Sequence, residues 1–230
     1  MSLQTIINIS NSIKIDRRKV IGIQTTRSQL MRIGETPTYN PWRFTIAVPD
    51  GVYADSRTLI ETLDNMDRAI SEVVSFGVIA SMSWLYKYQG AYTIAQLSGI
   101  LVSTFVGNQL VLNIAALTPR VVGTPIFKKG DIISIVGYPY PFTFTDDVLT
   151  PVSAVNTVTC VMHRPRVISP AVNLAGTALE VGPNAKFRLL CINMPTYILT
   201  PGAQRMSGST VTNNAILTFD GEFELVEHFL

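Results

Sequence analysis

The strongest constraint on the fold is a series of short apolar segments that fills the chain from Ser83 onward. β-branched and aromatic residues dominate these segments, and turn residues separate them at short, fairly regular intervals. Such spacing is typical of β sandwiches and barrels, in which short strands alternate with tight turns. The candidate strands are SWLYKY, ILVSTF, QLVLNI, DIISIV, FTFTDDV, TVTCVMH, FRLLCI, PTYILT and AILTFDGEFELVEHF, and PRVISPAVNLAGTALEVGPNAKF is predicted to be a long connection.

The first part of the chain predicts three more strands and one helix. KVIGIQTT and QLMRIG are predicted to be two strands joined near Arg27, and PWRFTIAV alternates with the period of a half-buried strand. The segment from Asp55 to Ala69 repeats Leu, Ile and Met at three- and four-residue spacing, which predicts an amphipathic helix. Its apolar stripe is expected to pack on a sheet and to bury Leu59, Leu63 and Met66.

An uncharged region between Lys87 and Arg120 is long enough to raise the question of a membrane helix. Gly107 and Asn108 divide it into two apolar runs, which is a signal for a two-residue hairpin turn. Its serine, threonine and amide side chains would also be costly in lipid. We therefore predict a β-hairpin and no membrane span, and the N-terminal residues do not have the pattern of a signal peptide.

The sequence offers few groups for catalysis or metal binding, and none of them is clustered. The histidines and cysteines are His163, His228, Cys160 and Cys191, and both cysteines lie in apolar runs typical of buried thiols. Motifs for phosphate binding, zinc proteases or serine hydrolases are absent from the sequence. Glu222 and Glu224 resemble a glycosidase carboxylate pair, but we favour the solvent face of an amphipathic strand. We predict that the protein is not an enzyme and that it has no catalytic residue, cofactor or metal.

The segment GYPYPF places three aromatic rings, Tyr138, Tyr140 and Phe142, at alternate positions. The prolines between them lack the N–H donor that a central strand needs, which predicts an edge strand or a strand entry. Three rings on one face either stack on a ligand such as a sugar or fill the core of a small barrel. We favour the core, and the ligand site remains the alternative.

Charge is scarce and unevenly distributed. Only 15% of the 230 residues are charged and the net charge is +2, so composition gives no case for nucleic acid as the main partner. A low-charge chain has either a large core or a surface covered by other subunits. Bases predominate up to Arg43, and acids predominate from Asp50 to Glu72. These segments either pair within the fold or across a subunit boundary, or are two solvated faces.

Three consecutive segments, GNQLVLNIAAL, IFKKGDIISIVGYPYPFTFTDDV and NTVTCVMHRPRV, resemble a β module of tail-tip and baseplate proteins of tailed bacteriophages. The shared features are a Gly-Asp turn, a strand that ends in Thr-x-Asp-Val, and a Pro-Arg pair at the end of the module. Gly130 turns the chain, and Asp131 is expected to accept backbone N–H groups at the strand start. The Trp-Arg strand, the single helix and the closing strand AILTFDGEFELVEHFL are similar to the same distal-tail or tail-tube-like family.

The resemblance implies a mainly β, tail-tube-like β sandwich or split barrel with one packed α-helix at 55–69. Residues 1–91 and 168–230 would form this domain, and 92–167 would be an inserted small β-barrel-like module. For this arrangement, strands from both ends of the chain must pair with each other.

The function that the resemblance implies is a structural subunit of a tail tip or baseplate, in a hexameric ring that joins the tail tube to the distal tail or baseplate. Its partners would be copies of itself and other phage tail and baseplate proteins, with genomic DNA only passing through the channel. The expected location is the virion tail, after assembly in the bacterial host cytoplasm. The proposed subunit interface pairs a basic hairpin with helix carboxylates, through Arg17, Arg18, Arg27, Arg32, Asp64 and Asp67. In the alternative, the hairpin packs on its own subunit.

Two other functions remain as alternatives. The first is a carbohydrate- or host-receptor-binding tail module that uses Tyr138, Tyr140 and Phe142. The second is a small β hydrolase, for which the sequence supplies poor candidates.

Overall fold

The computed structural model is mainly β, with several antiparallel sheets. The residues that it describes are 3–17, 21–25, 31–35, 41–66, 69–77, 87–152, 154–166, 172–201, 205–207, 210–212 and 215–229. Among these residues the sheets contain two to five strands, and none closes into a barrel. The mainly β prediction is therefore confirmed, whereas a closed barrel is not formed.

The chain divides into two compact units, each built from separate stretches of sequence. The first unit contains Met1–Arg17, Pro41–Val74 and Leu189–His228, and the second contains Arg18–Asn40, Ser75–Arg188 and Phe229–Leu230. The predicted division, with 92–167 inserted between 1–91 and 168–230, uses different boundaries and stays a prediction.

A five-stranded sheet, most of whose residues belong to the first unit, joins segments from both ends of the chain. In order across the sheet, its strands are β1 (Ser12–Asp16), β4 (Arg43–Ala47), β20 (Phe223–Glu227), β15 (Lys186–Asn193) and β6 (Glu72–Ser75). β4 and β20 pair antiparallel, with Phe44 opposite Leu225 and Ile46 opposite Phe223, and these four side chains are buried. The pairing of N-terminal and C-terminal strands that the resemblance required is therefore present.

A second sheet in this unit carries the longest helix of the described residues. Its strands are β16 (Thr196–Pro201), β19 (Ala215–Asp220) and β5 (Gly51–Val52), and helix α2 (Tyr53–Asp64) contacts β19 and β5. Ile60 and Leu63 are buried, which confirms that an apolar stripe packs on a sheet. Leu59 and Met66 are only half-buried, so their predicted burial is wrong.

Helix α2 ends at Asp64, before the predicted end at Ala69, because Asn65 caps it. The Asn65 side-chain amide donates to the carbonyl of Glu61 at 2.7 Å. The Met66 N–H then bonds the carbonyl of Leu63 at 3.1 Å, a tighter turn than the helical pattern. These bonds satisfy carbonyls at the helix end, so the apolar spacing beyond Asp64 does not continue as helix.

One more helix and two short hairpins lie outside these two sheets. Helix α1 (Leu3–Ile9), which sequence reasoning missed, buries Leu3, Ile6 and Ile7. The predicted hairpin near Arg27 is present as β2 (Ile21–Thr25) and β3 (Met31–Glu35), which pair antiparallel and belong to the second unit. A further hairpin in the first unit consists of β17 (Arg205–Ser207) and β18 (Thr210–Thr212).

The second unit packs small sheets around one apolar core. One sheet contains β11 (Tyr138–Thr143), β10 (Ile132–Ile135) and β14 (Leu179–Val181), and another contains β13 (Thr157–Val161), β8 (Gln109–Asn113) and β7 (Leu101–Val106). A third pairs β12 (Val148–Leu149) with β9 (Pro125–Phe127), and helix α3 (Ile94–Leu97) begins with a capping box formed by Thr93 and Gln96. Buried side chains from these sheets form a continuous hydrophobic cluster.

The uncharged region forms the predicted hairpin. β7 and β8 pair antiparallel through a turn at Gly107 and Asn108, where Gly107 has the positive φ of 58° that glycine adopts readily. Among the described residues, no helix has both the length and the apolar character needed to span a membrane.

Some sequence-based strand boundaries are wrong. The predicted long connection contains β14, a strand of only three residues that pairs with β10 and is too short to show an alternating pattern. β11 begins at Tyr138, within the segment GYPYPF that was predicted to be an edge strand or a strand entry, and ends at Thr143. The last predicted strand divides at Gly221, with φ of 117°, into β19 and β20 in different sheets. Most of SWLYKY lies outside the described residues.

Candidate interaction surfaces

His163 and Cys160, two candidate reactive side chains, have structural roles in the second unit. The His163 Nδ1 accepts the Thr143 N–H at 3.0 Å, which ties the end of β13 to β11. Cys160 is buried, and burial raises the pKa of its thiol to about 12, so the reactive thiolate is disfavoured. Within the described part of the chain, no group of three or more His, Cys, Asp or Glu side chains is placed to hold a metal ion.

Glu224 lies on the exposed face of β20, opposite the buried apolar face of that strand. Phe223 and Leu225 are buried, whereas Glu224 between them is exposed. Glu222 forms an ion pair with Lys14, with 2.8 Å between Oε1 and Nζ. This arrangement is the amphipathic strand that we favoured over a pair of catalytic carboxylates.

The three rings of GYPYPF are buried in the second unit. Tyr138 and Tyr140 meet edge to face with their ring centroids 4.8 Å apart, and Phe142 meets Phe105 in the same way at 4.9 Å. β11 lies at the edge of its sheet, as its prolines predicted. Because all three rings belong to the core cluster, their position fits the core-filling interpretation better than a platform for a ligand.

Two arginines that sequence reasoning missed cover these rings. The buried guanidinium of Arg164 lies 5.2 Å from the Phe142 ring centroid and 5.7 Å from that of Phe229, and it donates to the Pro141 carbonyl at 2.6 Å. The Arg166 guanidinium lies 5.8 Å from the Tyr138 ring centroid. The arginines in HRPR therefore pack on the aromatic core of the second unit.

The Gly-Asp turn has the structure expected from its sequence. Gly130 has φ of 89°, and the buried Asp131 carboxylate accepts the N–H of Lys128 at 2.9 Å and that of Gln89 at 3.0 Å. Burial raises the pKa of Asp131, and the two backbone N–H groups oppose that rise. Asp131 thus organises a turn.

The proposed interface charges are only partly described. The exposed Arg17 places its guanidinium 5.1 Å from the Trp42 ring centroid, and the exposed Asp64 accepts the Tyr197 hydroxyl at 3.4 Å. The side chains of Arg18, Arg27, Arg32 and Asp67 lie outside the described residues. The pairing of basic hairpin and helix carboxylates therefore stays a prediction.

The edge strand β16 is an apolar surface that sequence reasoning did not single out. Among the described strands it pairs with β19, and all six of its residues are exposed. Tyr197, Ile198 and Leu199 are exposed by 37%, 49% and 44%. The strand carries no charged residue, although natural edge strands are commonly protected by charge. The sequence itself indicates an unprotected edge strand, since TYILTP has no charged residue and lies between two prolines.

A separate apolar groove of about 410 Å³ lies beside helix α2 in the first unit. Ile9, Leu59, Leu217 and Phe219 line it, together with threonines and Asp50. It is open and mainly apolar, so it offers hydrophobic contact and few polar groups to orient a small ligand.

Comparisons with protein-family models and with curated proteins find no match to this sequence.

Proposed function

We propose that this chain is a structural subunit of a bacteriophage tail tip or baseplate, and that it forms a hexameric ring joining the tail tube to the distal tail or baseplate. The observation that carries the proposal is the antiparallel pairing of β4 with β20. It joins the N-terminal and C-terminal segments into one sheet, as the resemblance to tail-tube-like proteins requires. Helix α2, packed on the second sheet of the same unit, supports the same assignment.

In this function the chain would act through contacts between neighbouring subunits of the ring. A heterologous interface repeated by rotation closes into a ring when the rotation is a whole fraction of a turn. The basic hairpin, through Arg17, Arg18, Arg27 and Arg32, would meet Asp64 and Asp67 of the next copy. Exposed ion pairs contribute about 0–1 kcal/mol each, so charge would set the register and apolar contact would supply most of the affinity.

The partners and location follow from the same proposal. Copies of the chain would contact each other and other tail and baseplate proteins, and genomic DNA would only pass through the central channel. The subunits would assemble in the bacterial cytoplasm and remain in the virion tail. The carbohydrate-binding alternative has less support, because Tyr138, Tyr140 and Phe142 are buried.

Native mass spectrometry of the purified full chain tests the proposal. We expect one predominant closed assembly of identical subunits, with no need for added glycan. A chain that stays monomeric at every attainable concentration and binds glycans on an array would contradict the ring and favour the receptor-binding alternative.

A further inference from the structure

The groove beside helix α2 has apolar walls that come from several elements of the first unit. Helix α1 contributes Ile9, helix α2 contributes Leu59, and strand β19 contributes Leu217 and Phe219. Ile9 is 38% exposed, whereas Leu217 is buried, so the groove reaches from solvent to the apolar interior of this unit. Such a surface can bury aliphatic side chains of another chain segment.

The charge in and beside the groove is acidic. Asp50 is the only charged residue among the described residues that line it. Within the described part of the chain, its exposed carboxylate has no hydrogen bond or ion pair. Helix α2 carries Asp55, Glu61 and Asp64, and its one base, Arg57, forms an ion pair with Glu61 at 3.3 Å. A partner of the groove should therefore combine aliphatic residues with positive charge.

The basic hairpin, which spans residues 17–34, has this combination. It contains five bases and no acid. Aliphatic residues are interspersed with the bases, and Arg32, for example, lies between Met31 and Ile33. In the β2–β3 register Ile23 lies opposite Ile33, which places two aliphatic positions side by side on the hairpin. The hairpin is therefore complementary to the groove in both charge and apolar character.

We propose that the groove beside α2 receives the basic hairpin of a second copy of this chain. Aliphatic residues of the hairpin enter between Leu59 and Phe219, and its bases face Asp50 and Asp64. The groove belongs to the first unit and β2–β3 to the second, so each copy uses two different surfaces. A contact of this kind can repeat from copy to copy.

This inference rests on the proposed ring and names the surface that supplies its apolar contact. Each copy carries both a groove and a hairpin, so the contact needs no other protein. A partner with an acidic surface would be repelled by Asp50 and by the carboxylates of α2.

Photo-cross-linking of isotopically mixed copies tests which segment fills the groove. Benzoylphenylalanine is placed at Thr58, an exposed residue that lines the groove, and this protein is dissociated and reassembled with isotope-labelled wild type. We expect cross-links to residues 17–34 of the labelled copies. The same probe at Thr200, which is exposed and does not line the groove, should not reach this hairpin. Cross-links only to the hairpin of the same copy, or none to residues 17–34, would overturn the proposal.

A Thr58→Arg variant tests whether the groove contributes to assembly. The new base would face the bases of the hairpin, so the dissociation constant of self-association should rise about tenfold or more. Thr200→Arg is the matched control and should assemble like the wild type. Light scattering over a dilution series measures all three proteins, and circular dichroism checks the fold. Assembly of Thr58→Arg at wild-type concentrations would overturn the docking.

The docking and the ring can fail separately. A closed ring in native mass spectrometry, without cross-links from Thr58 to the hairpin of another copy, would leave the ring and overturn the docking. Cross-links between copies in open assemblies, with no closed ring, would support the docking and contradict the ring.

Discussion

Glu227 and Trp42 are joined by two hydrogen bonds although they lie 185 positions apart in the chain. The Glu227 N–H donates to the Trp42 carbonyl at 2.9 Å, and the Glu227 carboxylate Oε2 accepts the Trp42 N–H at 3.2 Å. Both residues are buried, and the Arg17 guanidinium covers the Trp42 ring. This link holds β4 and β20 together where the two ends of the chain meet.

Replacing Glu227 with Ala should lower the free energy of unfolding by about 1–3 kcal/mol, because the buried Trp42 N–H loses its acceptor. Glu227→Gln keeps an acceptor oxygen and should cost less. Urea denaturation followed by tryptophan fluorescence measures both losses. Equal losses for the two variants would show that the side-chain hydrogen bond does not stabilise this pairing.

Replacing Leu63 with Ala should lower the free energy of unfolding by about 2–5 kcal/mol, because the side chain is buried where α2 packs. Leu59→Ala is the matched control on the same helix, and it should cost less because Leu59 is half-buried. Thermal and chemical denaturation give both values. A loss near zero for Leu63→Ala would place that face of the helix outside the core.

Asp131 should titrate above the ordinary range of aspartate in the folded chain, because burial raises its pKa. A raised folded pKa means that the folded chain holds the proton more tightly than the unfolded chain. The stability of wild type relative to Asp131→Asn should therefore increase as the pH falls from neutral through the folded pKa of Asp131. Carboxyl NMR gives the titration midpoint, and denaturation over this pH range gives the relative stability. A relative stability that decreases over this range would contradict the assignment.

Reversing the charge of Arg18 and Arg27 to Glu should hinder ring assembly and leave the subunit folded, because like charges would face Asp64 and Asp67 of the next copy. Native mass spectrometry measures assembly, and circular dichroism checks the fold. Lys128→Glu with Lys129→Glu is a charge-matched control in a turn of the second unit. Normal assembly of the Arg18 and Arg27 variant would show that these charges do not set the register.

The sequence predicted those elements whose signal is local. Alternating apolar residues marked β4, and Gly107–Asn108 marked the β7–β8 hairpin. The three residues of β14 were missed because a strand so short shows no period. Helix α1 was missed because LQTIINI carries no charged face to contrast with its apolar residues.

The candidate surfaces depended on contacts that no local pattern contains. Arg164 lies over Phe142 and Phe229 only after the fold brings distant segments together. Likewise, the burial of Glu227 becomes understandable only with Trp42 as its partner. The exposure of β16 was not recognised in advance, although the prolines that bound this uncharged strand are typical of a sheet edge.

Immunogold labelling of intact virions tests whether this chain is part of a phage tail tip or baseplate. Antibodies against this chain would be applied to virions released by cells that carry its gene, with labelling of the major capsid protein as a control for position. We expect gold particles at the tail tip, where the tube meets the distal tail or baseplate. Virions that carry no label on the tail, although the antibody recognises the chain in denatured particles or infected cells, would contradict it.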